Sequence, residues 1–361
     1  MEGKAERLVG LLEAENPELV ALTVLQLGEV AKSDLGLVLG LLSRCFIHKS
    51  WRLRFSAALA LTQTLQSCNS PPCELDHDSL HSLSEVFTAS PQPRKQPKIS
   101  SPSPLSDLLK LALSRLFNRD WNSTQGSLLC LKSLLETRKV SKSTAEHCLY
   151  QVLVIIAEDK MVDYEDDAPS YPVREVAAQV IEHGAAYVDS TLLTSVLVHV
   201  AQTASNRVGA LLAMGKIALE TYPEAVYLVV GSSLQRSEDE ATEAARLLYL
   251  LPTPPAHLIP DLCLSLLNLI AATDDLATSV QHSILTLRDI QIDRYRKAGH
   301  LVTITPALLL PFAFHKTKNV RLAVFELLLD LLPSVRSENQ SDLTMIVIQG
   351  LLMETAQVHP R

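Results

Sequence analysis

The chain has 361 residues, of which 47% are hydrophobic, whereas aromatic residues make up only 5% and glycine occurs 12 times. This leucine- and alanine-rich composition favours helices and argues against a β-rich or doubly wound protein, which would need more glycine and more aromatic and β-branched residues. The formal net charge of -8 argues against a surface that binds nucleic acid throughout, and it is compatible with a basic protein partner.

The N-terminal segment, MEGKAERLVGLLEAENPEL, is charged and amphipathic, which argues against both a signal peptide and a membrane span. The longest apolar stretch, around HLIPDLCLSLLNLIAA, contains Pro260 and Asp261 and is too short to cross a bilayer. The six cysteines are spread along the chain, and most lie in apolar helical patterns, as Cys130 does. We therefore expect a soluble intracellular protein with reduced, buried thiols and no membrane partner.

Apolar residues recur with the helical period in consecutive pairs of segments, and a polar or proline-marked turn joins the members of each pair. The first pair is ERLVGLLE and PELVALTVLQLGEVAK, in which Asn16 is placed to cap the second helix and Pro17 to begin it. Five similar pairs follow as far as LLYLL, and two more, ending with NVRLAVFELLLDLLPSV, make about eight.

Each second helix begins with a polar turn and then small residues, such as Gly126 or Gly209, that allow neighbouring helices to approach closely. The residues that precede three of these small stretches are Arg174, Arg207 and Thr242, at spacings of 33 and 35 residues. Periods of this length are typical of helical repeat proteins. The sequence thus predicts an all-α, HEAT/armadillo-like α-solenoid of about eight helix pairs.

One segment interrupts the repeats, so we divide the chain into repeats over residues 1–68, an insertion over 69–104 and repeats over 105–361. The insertion is rich in Pro and Ser, and its second half contains three basic residues and three Ser-Pro steps. Such a composition cannot bury a continuous apolar face. One interpretation is a flexible connection between repeats. The other is a basic tail or nuclear-import signal, whose positive charge phosphorylation of the serines would reduce.

Motifs of catalysis are missing from the sequence. Gly215-Lys216 resembles part of a phosphate-binding loop, but Ile217 replaces the magnesium-binding Ser or Thr, Ala210 replaces the first Gly, and the helical period continues through the segment. Neither HExxH nor Gly-x-Ser-x-Gly occurs. We therefore predict no enzyme activity, no cofactor and no small-molecule substrate.

A cluster of soft and imidazole side chains lies at the start of the insertion, at Cys68, Cys73, His77 and His81. Zinc accepts such ligands, although the gap between cysteines and histidines is shorter than in zinc fingers. The two interpretations are a zinc site and a pair of free thiols beside solvated histidines.

Two acidic stretches lie in the turns between the helices of a pair, at 158–167 and 238–240. Neither is accompanied by the histidines or aromatic residues expected of a catalytic cleft. They are either solvated turns or, if aligned along one edge of the stack, a docking rim for a basic protein.

Several segments, taken in order, resemble the TATA-binding-protein-associated factor of the modifier-of-transcription-one type. Among them are SWRLRFSAALAL, LSRLFNRDWNSTQGSLLCLKSLLE, VLVIIAEDKMVDYEDDAPSYPVREVAAQVI and SNRVGALLAMGKIAL. The resemblance implies a nuclear transcription regulator that binds the TATA-binding protein, with promoter DNA contacted only indirectly or weakly. It further implies partner contacts in the interhelical turns, at Asp166, Asp167, Tyr171, Arg174, Asn206, Arg207, Glu238, Asp239 and Glu240.

The chain departs from that family in two respects. Family members have a long insertion that acts as a latch over the partner, whereas the insertion here is short and basic. They also continue into a helicase-like ATPase, and no nucleotide-binding motif precedes Arg361, which makes the chain a fragment, a split gene product or a divergent paralogue.

The alternative function is a general HEAT scaffold for tubulin folding, nuclear transport or complex assembly.

Overall fold

The computed structural model describes residues 2–75, 103–118, 120–158, 164–165, 168–169, 172–217, 219, 221–252, 254–255 and 257–272, together with single positions at 283, 286, 313, 321, 324, 325, 344 and 348. The chain divides into two compact units, Met1–Leu219 and Glu220–Arg361.

The first unit consists of helices arranged in consecutive pairs, as the periodicity predicts. The pairs are α1 (Glu2–Leu11) with α2 (Pro17–Ala31), α3 (Leu35–Cys45) with α4 (Trp51–Ser67), α5 (Pro104–Arg115) with α6 (Trp121–Glu136), α7 (Lys142–Glu158) with α8 (Pro172–Gly184), and α9 (Ser190–Thr203) with α10 (Val208–Met214). A 3₁₀ turn, Ala185–Tyr187, follows α8. A two-stranded antiparallel hairpin, β1 (Tyr164–Glu165) and β2 (Ala168–Pro169), lies in the sequence between α7 and α8.

Short polar side chains cap the second helices α2 and α6, as the capping rules require. The side chain of Asn16 accepts hydrogen bonds from the backbone N–H groups of Glu18 and Leu19 at 2.9 and 3.3 Å, and Pro17 occupies the first turn of α2. Asp120 likewise caps α6 by accepting from the backbone N–H of Asn122. These contacts satisfy N–H groups that have no partner inside the helix, so each helix has a defined start.

The second helices form a continuous row, because α4 contacts both α2 and α6, and α8 contacts both α6 and α10. Small residues allow this close stacking, and Ala57, Ala177 and Ala210 are fully buried. Gly126 is the most constrained of them, since a Cβ there would lie 1.6 Å from the carbonyl oxygen of Phe46. The arrangement confirms the predicted all-α solenoid of stacked helix pairs.

Helix α10 is shorter than the sequence pattern predicts. The helical period continues past Lys216, but α10 ends at Met214, with the N–H of Gly215 bonded to the carbonyl of Leu211 at 3.1 Å. Glycine is a poor residue for continuing a helix, which accounts for the stop. Lys216 lies beyond the helix and forms a surface ion pair with Glu182 at 3.5 Å.

The start of the predicted insertion is bound to the turn between α6 and α7. The backbone N–H of Cys73 donates to the carbonyl of Lys139 at 2.9 Å, and the N–H of Ser141 donates to the carbonyl of Cys73 at 3.0 Å. The Lys139 ammonium donates to the carbonyls of Cys68 and Ser70, both at 3.0 Å. The remainder of the insertion, residues 76–102, lies outside the described residues, and the predicted domain division stays a prediction.

The second unit begins with α11 (Glu224–Ser233) and α12 (Glu238–Leu250), which pack against each other, and continues with α13 (Ile259–Ala272). The side chain of Gln235 donates to the hydroxyl of Ser265 in α13 at 3.0 Å. The second helix of the predicted seventh pair and the eighth pair lie outside the described residues, apart from single positions. No helix in the described part of the chain is long and apolar enough to cross a membrane.

Candidate partner-binding surface

The predicted contact residues of the first unit lie where α8 and α10 begin. Arg174 is the third residue of α8 and is only 8% exposed, because its side chain packs against α10. A Cβ added at Gly209 would lie 3.8 Å from Cγ of Arg174, which shows how closely the two helices approach. Arg174 therefore helps to position α10, and little of its surface is available to a partner.

Asn206 and Arg207 form the turn that leads into α10. The side-chain oxygen of Asn206 accepts a hydrogen bond from the backbone N–H of Val208 at 2.9 Å, which fixes the turn just before the helix. Both Asn206 and Arg207 are half-buried. The structure thus brings these two residues close to Arg174. Asn206 and Arg207 are more accessible to a partner than Arg174 is.

The acidic residues of the second unit occupy the first turn of α12. Ser237 caps the helix, and the carboxylates of Glu238, Asp239 and Glu240 follow directly. Negative charge at this end of a helix is favoured by the helix dipole. Glu238 is exposed and Asp239 half-buried, so both can meet a partner.

Glu240 does not lie on the surface. Its residue is only 3% exposed, and its carboxylate forms an ion pair with Nε of Arg236 at 2.9 Å. The sequence-based expectation that Glu240 faces a partner therefore does not fit its burial. The physical reason is the helical period: Glu240, Ala241, Ala244 and Leu248 share the buried face of α12.

The remaining predicted contacts, Asp166, Asp167 and Tyr171, lie outside the described residues. The strands Tyr164–Glu165 and Ala168–Pro169 that flank the first two show that the acidic stretch contains an antiparallel hairpin, which the sequence pattern did not predict. The predicted alignment of the two acidic stretches along one edge stays a prediction.

The cysteines of the zinc hypothesis occupy different environments. Cys73 is buried in the bridge to Val140, and burial raises the pKa of its thiol to about 12, whereas Cys68 is half-buried at the end of α4. His77 and His81 lie outside the described residues. Within the described ranges no three His, Cys, Asp or Glu side chains are grouped so as to hold a metal ion.

Sequence reasoning missed a buried arginine at the start of α4. The Arg54 guanidinium donates to the carbonyls of His48 and Lys49 at 2.6 and 2.9 Å, and to the side-chain oxygens of Asn122 and Gln125, both at 2.8 Å. It also lies 5.1 Å from the centroid of the ring of Trp121. The signal was present in the helical phase, since Arg54 shares one face with buried residues at 57, 58, 61 and 65.

Comparison with known proteins supports the fold. No family model and no curated protein matches the chain. Among solved structures, the N-terminal domain of Mot1 in complex with TBP is similar with a TM-score of 0.54 and 17% identity, over 86% of this chain and 46% of that one. Importin beta is similar with a TM-score of 0.53 and 13% identity, over 94% of this chain and 42% of that one.

This chain therefore spans less than half the length of either structure that it resembles. At such low identity the likeness concerns the path of the backbone, and both neighbours are solenoids of stacked helices. The chain is a HEAT-like α-solenoid.

Proposed function

We propose that this chain is a nuclear transcription regulator whose solenoid binds the TATA-binding protein (TBP) and so controls the association of TBP with promoter DNA. The observation that carries the proposal is the backbone likeness to the Mot1 N-terminal domain, whose solved structure is a complex with TBP. The ordered sequence segments that resemble the same family support it independently. Any contact with promoter DNA is indirect, through TBP.

In each unit, the residues best suited to this role lie in the turns that begin the second helices. In the second unit, Glu238 and Asp239 present carboxylates at the first turn of α12, where a basic protein surface can approach. In the first unit, Asn206 and Arg207 present the turn before α10. Arg174 and Glu240 support these turns from within, because both are buried.

The proposed role is non-catalytic and needs no cofactor. Stacked helix pairs offer extended surfaces for proteins, and binding by surface turns requires no reacting group. If TBP is removed from DNA by ATP hydrolysis, another polypeptide or domain supplies the ATPase.

The test is a titration of fluorescently labelled TBP with the purified chain, at low and at physiological salt. We expect a complex with a micromolar or lower Kd, and we expect the double variant Glu238→Gln, Asp239→Asn to weaken it about tenfold, equivalent to about 1.4 kcal/mol. These neutral substitutions keep the size of each side chain. The matched control is Glu2→Gln, Glu6→Gln, which removes two exposed carboxylates from α1.

Absence of binding at both salt concentrations would contradict the proposal. Equal loss of affinity in the control variant would indicate that net charge, and not the turn before α12, attracts TBP. ATP hydrolysis by the purified chain would contradict the non-catalytic role.

The second candidate is a HEAT scaffold for another class of partner, such as transport cargo or an assembly intermediate. Backbone likeness to importin beta is of the same degree as likeness to the Mot1 domain. The two candidates differ in location and partner. The scaffold would be favoured if the chain is cytoplasmic, co-purifies with tubulin or import cargo, and does not bind TBP.

A further inference from the structure

A short extended segment, residues 70–75, links the end of the second helix pair to the start of the fourth. It begins shortly after Cys68, the residue that follows α4, and its far end is bound to α7. There the backbone N–H of Leu75 donates to the hydroxyl of Thr144 at 3.0 Å. The main contacts between helices of the first unit join members of one pair or of neighbouring pairs. The segment, which we call the strap, therefore connects two pairs that are not neighbours.

The middle of the strap pairs with the turn between α6 and α7. The N–H of Cys73 donates to the carbonyl of Lys139 at 2.9 Å, and the N–H of Ser141 donates to the carbonyl of Cys73 at 3.0 Å. These two bonds pair Cys73 with Val140 as in a parallel sheet. Cys73 and Leu75 are both only 4% exposed. The strap is thus packed against the turn and is held there by apolar burial as well as by hydrogen bonds.

One side chain fastens the beginning of the strap. The Lys139 ammonium donates to the carbonyls of Cys68 and Ser70, both at 3.0 Å. Because Cys68 follows the last residue of α4, the ammonium lies at a helix C-terminus, where the helix dipole favours a cation. Lys139 itself belongs to the turn between the third and fourth pairs. Its side chain therefore joins that turn to the end of the second pair.

Two features of this arrangement are unfavourable by themselves. Arg138 has a φ of 55°, a left-handed conformation that favours glycine, and it sets the backbone of Lys139 at the end of α6. The hydroxyl of Ser70 is buried and has no hydrogen-bond partner among the described residues. Opening the strap would let water reach this hydroxyl and recover part of the cost. Local costs of this kind are found at segments that switch between two positions.

We propose that residues 70–75 form a releasable strap that braces the second helix pair against the fourth, with the Lys139 ammonium as its latch. The curvature of a solenoid is the sum of small rotations between successive pairs. A link that passes over the third pair opposes bending at two junctions at once. When the strap opens, only the contacts between neighbouring pairs remain, so the first unit bends more freely. The brace acts on the first unit alone and does not depend on which partner the chain binds.

The first test measures opening of the strap through Cys73, because this thiol is covered while the strap is closed. The intact chain is treated with N-ethylmaleimide under native conditions, and peptide mass spectrometry follows each thiol. We expect Cys73 to react about tenfold faster in Lys139→Met, which loses both bonds of the latch but keeps an apolar side chain. The matched control is Lys142→Met, three residues later at an exposed position, which should react as the wild type does.

A second variant opens the other end of the strap. Thr144→Val keeps the shape of the side chain but removes the acceptor of the Leu75 N–H, so Cys73 should again react faster. Cys45, buried in α3, reports global unfolding in every variant. Equal acceleration of Cys45 and Cys73 in both strap variants would overturn the proposal, since the strap would then not open separately from the fold. Unchanged reaction of Cys73 in both would overturn it as well.

The second test measures the brace itself. Spin labels on noncanonical residues at positions 59 in α4 and 175 in α8, where Leu59 and Glu175 are exposed, give the distribution of distances between the second and fourth pairs. We expect Lys139→Met to broaden this distribution relative to the wild type and to Lys142→Met. An unchanged distribution in a variant whose Cys73 reacts faster would overturn the bracing role, because the strap would then open without any effect on the stack.

Discussion

The guanidinium of Arg54 donates a hydrogen bond from Nε to the side-chain oxygen Oε1 of Gln125 over 2.8 Å, which joins α4 to α6 although 71 residues separate them in the chain. The same guanidinium also holds the turn before α4 through the carbonyls of His48 and Lys49. Arg54 is fully buried, so these acceptors have little access to water.

We therefore predict that Arg54→Met destabilises the first unit by about 2–4 kcal/mol, because the loss of one donor leaves several buried oxygens unsatisfied. The measurement is the free energy of unfolding in urea, followed by circular dichroism. The matched control is Arg52→Met, two residues away, which removes an exposed ion pair with Glu15 and should cost under about 1 kcal/mol. Equal effects of the two substitutions would contradict the structure.

Gly126 provides a second test of the stacking. A Cβ at this position would lie 1.6 Å from the carbonyl oxygen of Phe46, and backbone atoms cannot move aside as a flexible side chain can. We expect Gly126→Ala to lower stability by about 3 kcal/mol or more, or to prevent folding. A Cβ at Gly40, inside α3, meets no atom within 4 Å, so Gly40→Ala should instead stabilise by about 0.5–1 kcal/mol. Thermal unfolding midpoints of both variants make the comparison.

The cap of α6 gives a pH-dependent prediction. Burial raises the pKa of the Asp120 carboxyl, but hydrogen bonds from Ser123 and Asn122 outweigh burial and hold the pKa below its ordinary value of 3.8. Because the pKa is lower in the folded state, ionised Asp120 stabilises the fold above pH 3.8, and this contribution is lost as the pH falls through the lowered pKa. Asp120→Asn keeps a capping oxygen without the charge.

We therefore expect the thermal midpoint of Asp120→Asn to be lower than that of the wild type at pH 7, and the gap to narrow at about pH 3. Asp120→Ala, which removes the cap itself, should be less stable than the wild type at both values. If the difference in thermal midpoint between Asp120→Asn and the wild type does not change with pH, the assigned role of the charge is contradicted.

The thiols should differ in reactivity. Burial raises the pKa of the Cys130 and Cys148 thiols far above their ordinary value, and they are only 1% and 0% exposed. Burial also raises the pKa of Cys68, but that residue is partly exposed. Since the thiolate is the reacting form and needs access to the reagent, N-ethylmaleimide should modify Cys68 before Cys130 and Cys148.

Peptide mass spectrometry after timed labelling of the native chain measures the order of reaction. Labelling in urea is the control, because the three thiols should then react at similar rates. Modification of Cys130 as fast as Cys68 in the native chain would show that α6 is not packed as described.

The contact residues inferred from family resemblance differ in their exposure to solvent. Glu238 and Asp239 lie accessible at the start of α12, whereas Glu240, next in the sequence, is buried against Arg236. Three adjacent carboxylates look alike in a list of charges. Their separation into surface and core follows from 100° of rotation per residue, which the periodicity of Ala241 and Ala244 could have revealed.

A local signal was enough to predict where α2 begins. Asn16 and Pro17 act on the first turn alone, so their effect does not depend on distant residues. Local periodicity gave the wrong end for α10, because the apolar pattern continues beyond Gly215 whereas the helix ends at Met214. Periodicity describes which face would be buried if a helix formed, and not how far it extends.

The amino-acid sequence by itself determined the fold class of this protein, since helical period, capping residues and paired segments are local properties that every helix pair repeats. Only the tertiary structure decided which residues meet across the stack. The ion pair of Arg52 with Glu15 and the burial of Arg54 beside Gln125 both depend on the offset between neighbouring helices. That offset is set by the packing of many side chains together, and no single segment contains it.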